Sequence, residues 1–409
     1  MISSSKPEGC RIPIKSWCRN LEQGAMEQAV NLASHPATFH HVALMPDAHQ
    51  GYGMPIGGVI AMDGTVCPNA VGVDIGCGMC AVKTNVPASA LEDMRIRREL
   101  HNLIRSRIPV GEGRSHEKAQ KWDGFEKFID EEGFVGEDWP LDVDRRNLGT
   151  LGGGNHFIEL QKEADAEKPS LWLMLHSGSR NLGHRIATHY HNLALDLCKR
   201  FFTKLPDEDL AFLPMDDRTR YGAAYVRHMK FALAYARESR TRMMGVAVVS
   251  LQEVCSKLGL SLEIEFQHDI HHNYAALENH FGKNVWVHRK GATSAKDGEI
   301  GIIPGSMGTS SYIVKGLGNA DSFMSCSHGA GRRMSRTAAC QSLTVEECDK
   351  AMQGIVCDRW NKVRHGKAKG TFDLSEAPGA YKDINTVIAD ESDLVTPVER
   401  LLPMLSIKG

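Results

Sequence analysis

The sequence lacks the features of a membrane, secreted or strongly charged protein. Its 409 residues contain no run of about 18 apolar residues, the length that a membrane-spanning helix needs. Residues 1–17 contain no apolar core of signal-peptide length. The 48 Lys and Arg nearly balance the 50 Asp and Glu, so a nucleic-acid surface would have to be a local basic patch. These absences predict a soluble, cytoplasmic protein with no membrane partner.

Repeats, low-complexity tracts and Pro/Ser-rich linkers are also missing, which argues against a string of separate domains. At roughly 150 residues per domain, the length alone allows two or three. Glycine-rich motifs nevertheless recur from Asp47 to Lys408, and this spread predicts one integrated domain over residues 1–409. The polar segment at about 111–147 is the best candidate for a peripheral insertion.

Cysteine and histidine usage points to ligand chemistry. Eleven cysteines, an odd number without a secretion signal, predict reduced thiols and some metal ligands rather than a disulfide framework. The nineteen histidines are more unusual. Several of them lie beside Gly, Asn, Asp or Cys in short clusters instead of singly on an apolar face, so imidazole chemistry is expected.

Short β-type runs end at these clusters, and helices lie between them. Strands are predicted at 41–45, 171–175 and 285–287. A helix is predicted to begin at the capping-box pattern of residues 89–92 and to stop at Pro109. A second long helix is predicted at about 222–242, with an aromatic and Met stripe that faces the core. The expected fold class is mixed α/β (α+β).

The segment around Asp74 and Cys77 places a carboxylate and a thiol three residues apart among glycines. Both side chains could reach one metal ion, although a glycine turn with a buried cysteine would give the same pattern. Cys77 and Cys80 also form a C-x-x-C pair, which could be a redox motif. The residues that follow, 81–84, are strand-like rather than the start of a helix, so the redox interpretation is disfavoured.

Three further segments could complete a metal site. They carry His156 after Asn155, His176, and His272 before Asn273. A lone histidine is more often a satisfied core residue, but several such motifs together with an Asp and a Cys favour a dinuclear site. By ligand softness the ions could be Zn²⁺ or Mn²⁺, and the ligand types leave this choice open.

A glycine-rich turn follows His328 and ends at Arg332. Glycines allow backbone N–H groups to approach phosphate oxygens, and an arginine can neutralise them. A neutral imidazole in that position is a credible nucleophile on phosphorus, whereas a capping histidine in a tight turn is the purely structural alternative. The loop at residues 304–311 is also of phosphate-cradle type, but it lacks the Gly-Lys-Ser/Thr ending of a P-loop.

Taken together, these motifs resemble the RtcB-type RNA ligases, which are GTP- and manganese-dependent 3′-phosphate ligases. The matching segments, in family order over nearly the whole chain, are Pro46–Gly58, Gly72–Met79, Gly154–Glu159, His176–Arg180, Pro304–Gly308, Ser327–Arg332 and Tyr381–Ile384.

The resemblance implies a single compact domain with a central metal and nucleotide cleft, and a role for each matching residue. Two Mn²⁺ ions, bridged by Cys77, would be held by Asp74, Cys77, His156, His176 and His272. His328 would be the catalytic nucleophile that takes GMP from GTP. The nucleotide would be bound by Asn155, Glu159, Asn273, Ser306, Ser311, His328, Gly329, Ala330, Gly331, Tyr381 and Lys408. Arg180 and Arg332 would face RNA phosphates, which positions RNA without reading its sequence.

The implied reaction joins RNA 3′-phosphate or 2′,3′-cyclic phosphate ends to 5′-hydroxyl ends through histidine–GMP and guanylylated RNA. Its setting would be tRNA splicing or RNA repair, and an archease-type activator is an expected partner. Two alternatives stay open. A binuclear metallophosphoesterase would use the same ligands without His328, and a non-catalytic RNA-binding relative would be expected to lack Cys77 or His328.

Overall fold

Helices and strands both contribute to the computed structural model, which describes residues 1–132, 141–216, 218–364 and 366–409. The mixed α/β class is therefore confirmed. Among the helices of these residues, none has the length and apolar character of a membrane span. All eleven cysteines are free thiols, as the sequence predicted.

The strands range from 2 to 14 residues in length. They are Ser3–Ser5 (β1), Ile14–Ser16 (β2), Thr38–His49 (β3), Ile56–Met62 (β4), Thr65–Val66 (β5), Gly78–Pro87 (β6), Phe157–Glu163 (β7), Ser170–Ser177 (β8), Leu213–Pro214 (β9), Ile264–His271 (β10), Asn273–His280 (β11), Lys283–Lys290 (β12), Ala292–Ser294 (β13), Ile300–Ile303 (β14), Ser311–Gly316 (β15), Ser325–Ser327 (β16) and Val395–Lys408 (β17). The three strands predicted from sequence lie inside β3, β8 and β12.

The helices range from one turn to ten turns. They are Gln23–Ser34 (α1), Pro68–Val71 (α2), Met94–Arg107 (α3), Asp123–Glu132 (α4), Asp142–Asn147 (α5), Asn181–Arg200 (α6), Tyr221–Lys257 (α7), Arg336–Ser342 (α8), Val345–Ala351 (α9) and Ile384–Asp390 (α10).

Two large sheets organise the chain. One has seven strands in the order β10-β6-β8-β7-β17-β15-β14, and all its pairs are antiparallel. The other has six strands in the order β1-β2-β3-β4-β12-β11, in which β2 and β3 pair in parallel. Because β10 leads directly into β11, the chain passes from one sheet to the other at residues 271–273.

Two buried clusters of the core pack against the two halves of the central helix α7. Leu173 and Leu175 of the seven-stranded sheet pack with Met243 and Leu251 of α7 in one buried cluster. Nearer the amino end of α7, Tyr225 packs in a second cluster with residues of α6. The helix is longer than predicted, since it continues past residue 242 to Lys257. Burying apolar side chains along its whole length stabilises the extra turns.

The predicted start of α3 is wrong. Residues 88–91 form a 3-10 turn, and the helix begins only at Met94. Asp93 is its N-cap, and its side chain accepts a hydrogen bond from the backbone of Arg95 at 2.8 Å. An Asp carboxylate caps a helix as well as Ser does, and Asp93 stands nearer the apolar stripe. The helix ends at Arg107, before Pro109 as predicted.

The predicted insertion at about 111–147 lies partly outside the described residues, and it stays a prediction. Its described part is attached to the core, because Phe125 of α4 is fully buried and its ring lies edge-on to Phe231 of α7 at 6.2 Å. Trp122, just before α4, is stacked parallel to the same ring.

Candidate metal and nucleotide site

Four adjacent strands of the seven-stranded sheet bring the predicted metal ligands to one edge. Cys77 directly precedes β6, His156 directly precedes β7, His176 lies near the end of β8, and His272 follows β10. Strand β8 pairs in antiparallel with β6 and β7, so that His176 lies opposite Met79 on one side and opposite Phe157 on the other. The backbone N–H of His272 donates to the carbonyl of Cys77 at 2.9 Å. Residues far apart in sequence therefore meet at one point.

Cys77 stands at the centre of two overlapping groups of ligand atoms. One group is Cys77, His176 and His272, and the other is Asp74, Cys77 and His156, with all atoms of a group within 4.8 Å of one another. The Cys77 Sγ lies 3.1 Å from His176 Nε2 and 3.5 Å from His156 Nε2. Donors bound to one ion at about 2.0–2.3 Å are separated by roughly 3.3–3.8 Å at tetrahedral angles. The geometry therefore fits two ions that share one thiolate.

Backbone carbonyls orient two of the imidazoles. The Nδ1 atoms of His156 and His176 pair with the carbonyls of Leu151 and Asn155, at 2.9 and 3.1 Å. Such outer contacts fix the tautomer and leave Nε2 as the free donor. His176 Nε2 lies 3.3 Å from His272 Nε2, and His156 Nε2 lies 3.2 Å from Asp74 Oδ2. The Nε2 atoms of His156, His176 and His272 consequently all point into the cluster.

The electrostatics suit a cation. Burial lowers the pKa values of His176 and His272 well below their usual range, so both rings are neutral, which is the form that can bind a metal ion. Burial and the neighbouring Asp74 carboxylate raise the pKa of the Cys77 thiol well above its usual value. Burial also acts to raise the pKa of Asp74, but the hydrogen bond and charge of His156 outweigh it and hold the pKa low. Without a cation the Cys77 thiol therefore keeps its proton. A cation bound to its sulfur would stabilise the thiolate and release that proton.

His328, the predicted nucleophile, is held by a buried carboxylate. Its Nδ1 lies 2.6 Å from Asp47 Oδ2, and its backbone N–H donates to the same oxygen at 3.1 Å. Asp47 is fully buried in β3, where the pairing with β4 shifts register between Leu44 and His49. The contact fixes the proton on Nδ1 and leaves the Nε2 lone pair free.

The turn after His328 depends on a glycine. Gly331 has a φ of 71°, and a Cβ at this position would lie 2.3 Å from the carbonyl oxygen of Asp47. Only glycine combines that conformation with such a close backbone approach. The turn therefore keeps His328 and Asp47 together.

A cleft of about 1030 Å³ joins the cluster to the turn. The His328 ring centre lies 4.8 Å from that of His272, so the predicted nucleophile borders the predicted ligand cluster. The predicted site residues that line the cleft are Asp74, Cys77, Asn155, His176, His272, Asn273, Ser306, His328, Gly329, Ala330, Gly331, Arg332, Tyr381 and Lys408.

Two predicted nucleotide contacts, Glu159 and Ser311, lie behind the cleft wall. They are almost fully buried, and Gln161 links them by donating to Glu159 Oε2 at 2.8 Å and to Ser311 Oγ at 3.1 Å. Burial raises the pKa of Glu159 to about 7. Ser306 lines the cleft and bonds to Thr309 at 2.9 Å within its own loop.

Three other residues that were predicted to contact the nucleotide or the RNA form hydrogen bonds or ion pairs within the protein. The Asn273 side chain donates to the carbonyl of Asp74 at 3.0 Å and accepts from the backbone N–H of Gly291 at 2.7 Å, so it braces the ligand loop. Arg180 bonds to Thr150 at 3.4 Å beside the Asp74 carboxylate. Their roles toward nucleotide and RNA stay predictions.

Arg332, the third, contributes to a charged cluster at the cleft rim centred on the buried Glu376. Glu376 Oε1 lies 3.3 Å from Arg332 and 3.1 Å from Arg336, and its Oε2 lies 3.3 Å from Lys408. The Tyr381 hydroxyl donates to the same carboxylate. Burial acts to raise the pKa of Glu376, but Lys408 and Arg336 outweigh it and lower the pKa. The cluster fixes two predicted nucleotide contacts, Tyr381 and Lys408.

Sequence reasoning missed Asp47, Glu376 and Lys290. Asp47 lies in one of the matching segments, and its place after a β-type run was the signal that could have singled it out. Lys290 follows the predicted strand at 285–287 and lines the cleft, where its Nζ donates to the carbonyls of Tyr52 at 2.5 Å and Asn69 at 3.1 Å. Burial lowers its pKa to about 8. Glu376 carries no local signal, because its partners come from other segments.

A Cys77-centred cluster of Asp, Cys and His side chains beside a carboxylate-held histidine is compatible with a metal-binding site in an enzyme. The family model described as tRNA-splicing ligase RtcB matches residues 28–409. The chain belongs to the RtcB ligase family.

Its relatives match it along most of their length. The RNA-splicing ligase RtcB of Escherichia coli strain K12 is 39% identical over 97% of both chains. The tRNA-splicing ligase RtcB of Methanococcus maripaludis is 33% identical over 95% of this chain and 92% of its own. That of Thermococcus kodakarensis is 31% identical over 94% and 91%.

Proposed function

We propose that this protein joins RNA 3′-phosphate or 2′,3′-cyclic phosphate ends to 5′-hydroxyl ends, with GTP as co-substrate and two Mn²⁺ ions as cofactors. The observation that carries the proposal is the position of His328, whose Nδ1 is held by Asp47 at the border of the ligand cluster. A hydrolase with the same cluster has no need of a fixed second nucleophile. Family membership, with relatives named RNA-splicing and tRNA-splicing ligases, supports RNA as the substrate.

The residues that would hold the two ions are Asp74, Cys77, His156, His176 and His272, and they offer the O, S and N donors that Mn²⁺ accepts. Bound ions would neutralise charge on the phosphates and polarise their P–O bonds. Sharing of Cys77 between the two ligand groups supports a pair of ions rather than one.

His328 would act in the first two steps. Its Nε2 attacks the α-phosphorus of GTP, so that a P–N bond forms and pyrophosphate leaves. Asp47 stabilises the positive charge that the ring then carries. A cyclic end is first hydrolysed: water attacks the phosphorus and the P–O2′ bond breaks, which leaves a 3′-phosphate and a 2′-hydroxyl. An oxygen of the RNA 3′-phosphate then attacks the same phosphorus, the P–N bond breaks, and His328 is released as the neutral ring.

The last step needs positioning more than a protein nucleophile. The RNA 5′-hydroxyl attacks the activated 3′-phosphorus, loses its proton, and displaces GMP. Asn155, Ser306, Tyr381 and Lys408 would hold the guanylate during all three steps, since they line the same cleft. Arg180 and Arg332 would position RNA phosphates, and an archease-type activator would assist turnover.

The decisive experiment is incubation of the protein with α-labelled GTP and Mn²⁺. The expected result is covalent label in an acid-labile, base-stable bond, and no label on His328→Ala. The matched control is RNA with a chemically guanylylated 3′ end, which His328→Ala should still seal, because that step needs no enzyme-bound GMP. If the protein took up no label from GTP and instead released phosphate from RNA ends, the result would support the metallophosphoesterase. A variant lacking His328 that couples unactivated ends with GTP would refute the assignment.

A further inference from the structure

Residues 359–364 and 366–372, here called the basic hairpin, are rich in unpaired cations. The sequence 359–372 has five Lys and Arg and no Asp or Glu, in a chain whose net charge is −2. The five are all exposed: Arg359, Lys362, Arg364, Lys367 and Lys369. Such a run in a nearly neutral protein is a local basic patch.

The acidic residues that flank the hairpin are engaged elsewhere. Asp358 pairs with Arg105 of α3, and Asp373 accepts from the backbone N–H of Ser375 at 3.2 Å and from its hydroxyl at 2.6 Å. Over the part of the chain that the structure describes, no carboxylate forms an ion pair with any of the five cations. Their charge is therefore available to a partner.

The hairpin has a fixed backbone. Lys362 and Phe372 form an antiparallel bridge, and Val363 exchanges hydrogen bonds with Thr371 and Gly370, each at 2.9 Å. Ala368, in the turn of the hairpin, is only 6% exposed. The Lys362 Nζ lies 5.7 Å from the centre of the half-exposed Phe372 ring. The cations thus sit on a folded element, and an aromatic ring stands among them.

Helix α8 connects this hairpin to the cleft. Its first residue, Arg336, lines the cleft, and near its other end Gln341 donates to the carbonyl of Lys367 at 3.4 Å. A helix of 7 residues spans about 10 Å. Beyond the hairpin the chain returns at once to Glu376 in the cleft rim. A strand leaving the cleft along α8 would meet the cations.

We propose that the basic hairpin binds the phosphate backbone of the single-stranded RNA whose end lies in the cleft. The proposal rests on the proposed function for the identity of that end. Exposed lysines and arginines bind phosphates without reading sequence, and an aromatic side chain among them offers a base a stacking surface. The expected contribution is affinity for long RNA strands, not chemistry.

The test compares two variants with equal changes of charge. The hairpin variant carries Lys362→Gln, Arg364→Gln, Lys367→Gln and Lys369→Gln. The control variant removes four exposed cations outside the cleft: Lys168→Gln, Lys199→Gln, Arg200→Gln and Lys230→Gln. A third variant keeps the charge, with Lys362→Arg, Lys367→Arg and Lys369→Arg.

Binding of a labelled single-stranded RNA of about 20 nucleotides is measured by fluorescence anisotropy over a range of salt. For the hairpin variant, the plot of log affinity against log salt should become shallower by about 0.7 for each phosphate that the hairpin no longer neutralises. Its affinity at about 0.1 M salt should fall at least about tenfold. The control and charge-keeping variants should bind like the unchanged protein. Equal affinity and slope in the hairpin and control variants would overturn the proposal.

Label transfer from GTP in the absence of RNA should be the same in all variants, which also shows that each is folded. Joining of ends only about two nucleotides long should likewise be unaffected, since they stop short of the hairpin. A loss of short-end joining equal to the loss for long RNA would contradict backbone binding. If the unchanged protein took no label from GTP, the proposed chemistry would fail while the RNA-binding comparison would still decide the role of the hairpin.

Discussion

Replacement of Asp47 by Asn tests whether the carboxylate prepares His328 for attack. The change keeps the size of the side chain but removes its charge. Asp47 Oδ2 lies 2.6 Å from His328 Nδ1, the distance of a short charge-assisted hydrogen bond. The same oxygen also accepts from the backbone N–H of His328. Hydrogen bonds to charged groups contribute about 1.5–3 kcal/mol, which corresponds to roughly a tenfold to 150-fold change in rate.

A second effect of Asp47→Asn adds to the first. If the new amide turns its NH₂ toward Nδ1, the ring proton moves to Nε2 and the nucleophilic lone pair is lost. The equivalent change in a Ser-His-Asp triad lowers kcat about 10⁴-fold through the wrong tautomer. The expected loss in Asp47→Asn lies between about 10² and 10⁴ in the rate of label transfer from α-labelled GTP, measured in a single turnover.

Two controls separate this effect from damage to the site. Metal content, measured by elemental analysis after gel filtration in Mn²⁺, should match that of the unchanged protein, because Asp47 belongs to neither ligand group. Sealing of chemically guanylylated RNA ends should also persist. An Asp47→Asn protein that takes up GMP at the original rate would refute the claim that the carboxylate orients the ring.

Three further predictions concern metal, charge and pH. The His176→Ala variant should contain less Mn²⁺ by elemental analysis, and the rate of every reaction step should fall, including the sealing of guanylylated ends. Full sealing activity would contradict the role of His176 as a ligand. Glu376→Gln should lower the free energy of unfolding by about 2 kcal/mol in urea titrations, because it leaves the partly buried Arg332 and Lys408 without their partner. An unchanged midpoint would show that the rim charges do not depend on Glu376. Burial lowers the pKa values of His35, His41 and His288 to about 4, 3 and 4. Below about pH 6.5 the unfolded chain binds protons that the folded chain does not, so stability should fall by about 1 kcal/mol per histidine between pH 7.5 and 5.5. His288→Gln should show a smaller fall, and equal stability at the two pH values would exclude the effect.

Local sequence was sufficient for several features of the fold. The runs at 171–175 and 285–287 became strands because alternating or continuous apolar residues bounded by turns suit a sheet. Local sequence was insufficient for helix boundaries. The Ser89 capping pattern competed with Asp93 a few residues later, and the better position relative to the apolar stripe decided the start of α3.

The sequence by itself determined which residues are the candidate ligands and the candidate nucleophile, because each stands in a motif whose residue types restrict its chemistry: Asp74, Cys77, His156, His176, His272 and His328. It also determined the family, because seven such motifs occur in one order. Only the tertiary structure decided which groups act together. The register of β10, β6, β8 and β7 makes Cys77 common to two ligand groups, and contact across 281 residues joins Asp47 to His328. Glu376 gains its role in the same way from distant cations. Such pairings depend on strand register and packing between distant segments, which no local pattern of residues encodes.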